Sequence, residues 1–359
     1  MLERQFTQRM ISPADVPPSD DRVKVVGTFN PGAAVVGDEV VLLVRVVEQV
    51  TAHSPGLFPS PRIDSNRGLQ IDWLNESDVS LADPRVYENI YDGSLRLRFI
   101  SHLRAYRSRD GKTIDYDAES TAIMPEGDYE IYGIEDPRIT KIDDTYWITY
   151  VGVSNHGVVT CLMSTTDFRS FERHGVIFCL DNKDVVLFPE KIGGQYVAMH
   201  RPMPAMKFSL PQIWLANSPD LLRWGGHHLL VAAGTGSTSD RIGGGTPPIR
   251  TDRGWLTIYH GSDKKPGSKG VGTYTAGALL LDLDDPTRII ARTHQPIMAP
   301  EADFEKHGFV PNVVFPTAVI ERDGMYYVYY GAADEHVGVV GYDKDALLDT
   351  MTACEVATK

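Results

Sequence analysis

The chain is poor in cysteine, in net positive charge and in long apolar runs, and each shortage removes a class of explanation. Its 359 residues hold only Cys161, Cys179 and Cys354, without metal-ligand spacing, so the expectation is buried free thiols rather than a disulfide framework. The eleven histidines form no HExxH or other close ligand set, and no metal is expected. His227-His228, after Trp224, reads as a solvated loop pair. Net charge is −13 with no long run of either sign, which argues against nucleic acid as a partner but allows a local basic pocket for a small anion. No segment approaches the roughly 18 apolar residues of a membrane span. The opening residues Met1-Leu2-Glu3-Arg4-Gln5 are polar and unlike a signal peptide, so no membrane partner and a cytoplasmic location are expected. Long amphipathic helices are also missing. Beyond a short candidate at 344–350, nothing supplies the eight or so helices of an α/β barrel.

What the chain does have is a recurring strand pattern, with a hydrophobic content of 42% that suffices for a large core. A proline leads a short apolar strand, a turn, and a strand rich in aromatic and β-branched residues. The pattern starts at Asn30-Pro31, Asp136-Pro137, Phe188-Pro189, Thr246-Pro247 and Phe315-Pro316, with successive prolines 106, 52, 58 and 69 residues apart. The intervening turns carry Gly37-Asp38, Asp143-Asp144, Gly193-Gly194, Asp252-Arg253-Gly254 and Asp323-Gly324, the residue types such turns require. A four-stranded blade takes about 40–50 residues, so the length accommodates five blades with insertions. The expectation is an all-β, five-bladed β-propeller, a single domain over residues 1–359. A β-sandwich would match the strand content but not the fivefold recurrence. Residues 1–25 read as an N-terminal extension and 49–75 as an insertion that shapes a ligand site on one face. Residues 261–272, glycine-rich and carrying Lys264 and Lys265, read as a mobile loop.

The hexapeptide Gly133-Ile134-Glu135-Asp136-Pro137-Arg138 places two carboxylates and a guanidinium side by side at a strand start. Pro137 removes a backbone donor and restricts Asp136 to an extended conformation, which would fix its carboxylate as a catalytic acid requires.

With these motifs the chain resembles the β-mannoside phosphorylases and mannosidases of glycoside hydrolase family 130. The resemblance covers roughly residues 29–340. It is carried by the hexapeptide, by Leu187-Phe188-Pro189-Glu190-Lys191 with His200-Arg201-Pro202, and by Ser218-Pro219-Asp220-Leu221 with Trp224. Gly254-Trp255-Leu256 with Tyr259-His260-Gly261, and Tyr329-Tyr330-Gly331-Ala332-Ala333-Asp334, extend it. A five-bladed propeller is also that family's fold. The resemblance implies Asp136 as the single catalytic acid, its proton passing through a sugar hydroxyl to the leaving oxygen. It implies inorganic phosphate as co-substrate and nucleophile, bound by Lys183, Arg201, Arg241 and His260, with no further cofactor. Lys183 stands where relatives often carry Arg. Gly243-Gly244-Gly245 would let backbone approach the anion. Sugar contacts fall on Asn30, Arg45, Glu135 and Asp334, the third standing where some relatives carry Tyr.

The implied activity is phosphorolysis of short β-mannosides with inversion, releasing α-mannose 1-phosphate, with β-1,2-linked mannobiose or oligomannan as the leading substrate. A homo-oligomer is compatible with the resemblance. The alternatives are a β-mannosidase of the same family, in which an acidic residue activates water, and a non-catalytic glycan-binding propeller. Keeping all four anion-binding positions favours phosphate over water, and a lectin needs neither those positions nor Asp136.

Overall fold

The computed structural model describes residues 2–81, 83, 85–116, 120–206, 208–264 and 271–354. It is an all-β molecule. Its helices are short: the single turn Asp303–Lys306, the helix Lys344–Asp349 and a few 3-10 turns. Lys344–Asp349 is the one helix read in the sequence, and the Asp343 side chain caps it by accepting from the Ala346 amide at 2.8 Å.

The strands fall into five successive antiparallel units. The first joins Val23–Val36, Glu39–Val50, Ile100–Ser108 and Thr121–Ile123. The second is Gly133–Ile142, Thr145–Ser154, Gly157–Thr165 and Glu172–Phe178, tied to the first by a parallel bridge between Gly133 and Ser101. Asn182–Leu187, Tyr196–Pro202, Ile213–Ser218 and Gly225–Val231 make the third. The fourth opens with Arg241–Gly244 and Ile249–Thr251, both paired to Gly254–Asp263, and continues through Thr273–Leu281 and Ile289–Arg292. The fifth is Val314–Arg322, Met325–Ala332 and His336–Asp343. Its outer strand comes from the other end of the chain: Phe6–Ile11 pairs antiparallel with His336–Asp343. The segment read as an N-terminal extension is therefore partly an edge strand of the last unit.

Five apolar cores hold the units together, and each lies between two of them. Val41, Leu43 and Leu103 of the first unit pack with Ile139, Ile148 and Met163 of the second. Leu162 of the second meets Leu187 and Ala216 of the third. Met199 and Leu215 of the third meet Trp255 and Leu279 of the fourth. Leu256 and Leu280 of the fourth meet Val328 and Tyr342 of the fifth. Tyr327 and Val339 of the fifth then meet Leu42 and Val44 of the first. Inner strands are thus covered on both faces. This explains why Glu39–Val50 reads as an almost unbroken apolar run rather than an alternating one.

The first strands of four units bulge. Register shifts fall between Phe29 and Gly32, Glu135 and Arg138, Lys183 and Val186, and Pro316 and Ala318. Asn30, Asp136 and Asp184, in the first three bulges, have positive φ of 49°, 52° and 55°. Asn and Asp are the non-glycine residues that best tolerate this region. The expectation of an extended Asp136 is corrected here: the preference imposed by Pro137 yields to the bulge. The five prolines also do not mark one equivalent point. Pro31, Pro137 and Pro316 sit in bulges, Pro189 follows the strand Asn182–Leu187, and Pro247 lies between Arg241–Gly244 and Ile249–Thr251. What they share is a place at or beside a break in the ladder, where a missing donor costs little.

The expected insertion at 49–75 contains the hairpin Leu57–Asp64 with Gly68–Asn75, and a three-stranded sheet (Val79–Ser80, Val86–Asn89, Leu95–Leu97) extends it. Gly261 to Asp263 belong to the strand Gly254–Asp263, while residues 265–270, Lys265 with them, lie outside the described residues. Cys161 is buried as expected, but Cys179 is exposed; all three thiols are free. His227 and His228 are exposed but lie in the strand Gly225–Val231, with His227 Nδ1 3.1 Å from His200 Nε2.

Candidate active site

The bulged strands open onto a cavity of about 370 Å³. That is within the roughly 300–1,000 Å³ of small-molecule sites. Eight of the nine expected site residues line it: Asn30, Arg45, Glu135, Asp136, Lys183, Arg201, Arg241 and Asp334. They come from all five units, so the fold brings together side chains scattered over more than 300 residues of sequence.

Asp136 is the hub of one wall. Its Oδ1 accepts from Asn30 Nδ2 at 2.8 Å and from Arg45 Nη1 at 3.0 Å. The Arg45 fork extends the set, with Nη2 donating to Glu135 Oε1 at 2.7 Å and Nε to Ser101 Oγ at 3.2 Å. Phe29 and Phe99 lie beside the guanidinium, its Cζ 4.8 and 6.0 Å from their ring centroids. Burial opposes ionisation of Asp136, but Arg45, Lys183 and Arg138 together outweigh it and hold the carboxyl below its ordinary range. Asp334 goes the other way. Burial, reinforced by the negative charge of Asp136 and only partly offset by Arg45, pushes its carboxyl up to about 6. Two carboxyls on one cavity thus have separated proton affinities, an arrangement typical of acid–base sites.

The cavity also has a cationic side. Lys183 and Arg201 face each other across neighbouring strands, and Arg241 comes from the fourth unit. Lys183 Nζ reaches Glu135 Oε2 at 3.4 Å and so stands between the two walls. Arg241 Nε donates to Asp240 at 2.7 Å. Arg201 Nε forms an ion pair with Asp184 Oδ2 at 2.6 Å, and neither its Nε nor its buried Nη1 has a hydrogen-bond partner among the described residues.

His260 does not line the cavity. It is fully buried behind Asp184, Nε2 3.3 Å from Oδ2, with the Phe315 ring 4.2 Å away. Burial pushes its imidazole down against the pull of Asp184. The space beside Gly243 is likewise taken by protein: a Cβ there would lie 2.5 Å from both Asp184 Oδ2 and the His260 ring. Arg138, the guanidinium of the hexapeptide, turns into the core. Its Nε donates to the Gly245 carbonyl at 2.7 Å and its Nη1 to the Asp136 carbonyl at 2.8 Å, tying the second unit to the fourth. Tyr274 is a wall of the cavity, whereas Trp255 belongs to the core.

Sequence reading missed Asp184, Asp83 and Arg85, all of which line the cavity. Arg85 grips Asp83 with Nη2–Oδ2 at 2.7 Å and Nε–Oδ1 at 3.0 Å, both in the connection between Val79–Ser80 and Val86–Asn89. Asp184 could have been suspected from its place beside Lys183. Nothing local in the sequence marks Arg85.

No helix among the described residues is long and apolar enough to cross a membrane, and no cluster there could hold a metal ion. Residues 84–353 match the sequence profile of the beta-1,4-mannooligosaccharide phosphorylase family, glycoside hydrolase family 130. The chain is 40% identical over 331 residues to a beta-1,2-mannobiose phosphorylase of Listeria innocua, covering 90% of this chain and 91% of that one. A 1,2-beta-oligomannan phosphorylase of Thermoanaerobacter sp. is 40% identical over 247 residues, 67% of this chain and 78% of its own. The solved beta-1,2-mannobiose complex of the Listeria innocua beta-1,2-mannobiose phosphorylase superposes with a TM-score of 0.88 at 37% identity, over 96% of this chain and 98% of that one. Similarity of this extent shows that the chain belongs to glycoside hydrolase family 130, and its cavity is lined by Asp136 together with Lys183, Arg201 and Arg241.

Proposed function

We propose that this protein is an inverting β-mannoside phosphorylase. It cleaves β-1,2-linked mannobiose or oligomannan with inorganic phosphate and releases α-mannose 1-phosphate. The observation that carries the reading is the convergence of Lys183, Arg201 and Arg241 on the cavity that also holds Asp136. A dianion beside an electron-poor sugar carbon needs several fixed cations, and lysine and arginine supply charge-assisted bonds to it. Phosphate is already a nucleophile, so no second carboxylate has to activate water, unlike in an inverting hydrolase. A phosphate oxygen forms the new bond to C1 as the glycosidic C–O bond breaks. Asp136 gives its proton to the leaving oxygen, through a sugar hydroxyl, and recovers one from the hydrogen phosphate. Asn30, Arg45, Glu135 and Asp334 hold the mannosyl unit, and His260 supports the anion site from behind Asp184.

The β-1,2 preference is supported by the names of the relatives 40% identical to this chain. The architecture is a single five-bladed β-propeller. Five cores, each between successive units and the last returning to the first, support it, as does an outer strand of the fifth blade drawn from the chain start. Three unpaired thiols support a cytoplasmic setting.

Incubation with β-1,2-mannobiose tests the activity. Mannose and mannose 1-phosphate should appear in equal amounts and only when phosphate is present. Release of free mannose alone, at the same rate with and without phosphate, would replace the phosphorylase by a mannosidase.

A further inference from the structure

We propose that Asp184 is the positioning residue of the anion wall: by holding the Nε edge of Arg201 it sets the guanidinium to meet phosphate. The proposal rests on the phosphorylase reading above. Asp184 occupies the third of the positive-φ bulges, the place taken by Asn30 and Asp136 in the first two units. It is 4% exposed yet touches the cavity. Three groups from three other strands meet its carboxylate: Arg201 Nε at 2.6 Å from Oδ2, His260 Nε2 at 3.3 Å from Oδ2, and Arg138 Nη2 at 3.8 Å from Oδ1. These partners outweigh the burial of the group and keep it ionised.

A carboxylate in the wall of an anion site is at first sight a contradiction, since its bare charge repels phosphate. The geometry resolves it. Arginine presents its donors in a rigid fork, and a partner on Nε fixes the fork's plane and leaves the terminal nitrogens for a ligand. The Nε–Asp184 contact is a close ion pair rather than an aligned hydrogen bond, and neither Nε nor Nη1 of Arg201 has a hydrogen-bond partner among the described residues. The position of Asp184 is itself constrained: Gly243 leaves its Oδ2 just enough room, His260 Nε2 lies 3.3 Å from that same oxygen, and Arg138 Nη2 lies 3.8 Å from Oδ1.

The two possible effects of Asp184 have opposite signs, which makes the test decisive. Asp184→Asn keeps size and tolerates positive φ. If positioning dominates, the Michaelis constant for phosphate rises roughly tenfold or more, the loss expected when a charge-assisted bond is misaligned. That for the mannoside should stay within about twofold. If only bare charge matters, the same variant binds phosphate more tightly than the native enzyme, and the proposal falls. An unchanged phosphate constant overturns it as well.

Arg201→Lys gives a second reading that does not depend on Asp184→Asn folding. It keeps the charge but loses the Nε edge, so its phosphate constant should approach that of Arg201→Ala; a value near native overturns the proposal. In the Arg201→Lys background Asp184→Asn should add little further loss, whereas additive losses would show that the two residues act separately. If native enzyme itself shows no phosphate dependence, it is the phosphorylase reading that has failed.

Discussion

Asn30 and Asp136 stand 106 residues apart in sequence and are joined in the structure by a 2.8 Å hydrogen bond from Asn30 Nδ2 to Asp136 Oδ1. Both lie in bulges of first strands, both have positive φ, and both precede a proline. The repeat thus places a donor from one unit on an acid from the next. Asn30→Asp retains the backbone preference and replaces that donor with a second carboxyl. The proton then has two neighbouring carboxylates to choose between, and its loss moves to higher pH. A pH profile of kcat for Asn30→Asp should show its basic limb displaced upward from native; an unmoved limb would mean that Asn30 does not govern the acid.

Asp136 is the proposed proton donor, and its replacement by Asn should leave fold and binding while removing about 10²–10⁴ of the turnover on mannobiose, the usual contribution of general acid catalysis. An aryl mannoside with a good leaving group needs no protonation, so the loss on it should be far smaller. Rates on the two substrates compared in one preparation check this. Equal losses would reassign Asp136 to holding the sugar.

The acid faces a difficulty that phosphate itself can remove. In the protein alone, Arg45, Lys183 and Arg138 hold the Asp136 carboxyl below its ordinary range, so it is ionised at neutral pH, whereas an acid must be protonated. Lys183 links the two walls through its 3.4 Å contact with Glu135. A dianion drawn to Lys183 and Arg201 offsets the cations that depress Asp136 and raises its proton affinity. Binding of the anion therefore loads the acid, and the protonated fraction at a given pH goes up. A carbon-13 carboxyl titration, with the Asp136 resonance assigned by its loss in Asp136→Asn, tests this against sulfate, an anion that does not itself titrate near neutrality. The apparent pKa should move up with sulfate; a fixed or falling value would sink the coupling.

Much of this architecture is legible in the sequence because it is written in local chemistry. Turn residues, strand composition and the Pro-led recurrence reveal five hairpins, and each is present, as at Gly133–Ile142 with Thr145–Ser154. Asp136 and Arg201, each set in a motif, both line the cavity. Relations that depend on the path between units are not legible. Phe6–Ile11 carries no mark of the partner it finds more than 300 residues away. The family resemblance implies His260 as an anion ligand, yet Asp184 stands between it and the cavity, and the orientation of a side chain about a bulge has no signature in spacing. Arg138 reads as part of a charged trio, but the bulge turns it inward to the Gly245 carbonyl.

Asp334 should reveal its environment through stability. Its carboxyl is raised from 3.8 to about 6, chiefly by burial, so the folded protein binds this proton more tightly than the unfolded chain does. Well below pH 3.8 both states are protonated and the group is neutral in the balance. As pH rises from about 3.8 to 6 the unfolded chain releases this proton while the folded state keeps it, so stability falls, and it levels off once the folded state accepts the buried charge above 6. The displacement of about two units corresponds to at most about 3 kcal/mol, and to less where the cavity admits solvent. Asp334→Asn, which tolerates the native φ of 50°, removes that penalty while deleting a proposed sugar contact. The variant should therefore melt higher than native at pH 7.5, the difference should shrink to a small fraction at pH 4, and affinity for the mannoside should drop. Thermal denaturation at the two pH values checks it: equal melting at pH 7.5, or a gain that persists undiminished at pH 4, would show that the Asp334 carboxyl is not strained by its burial.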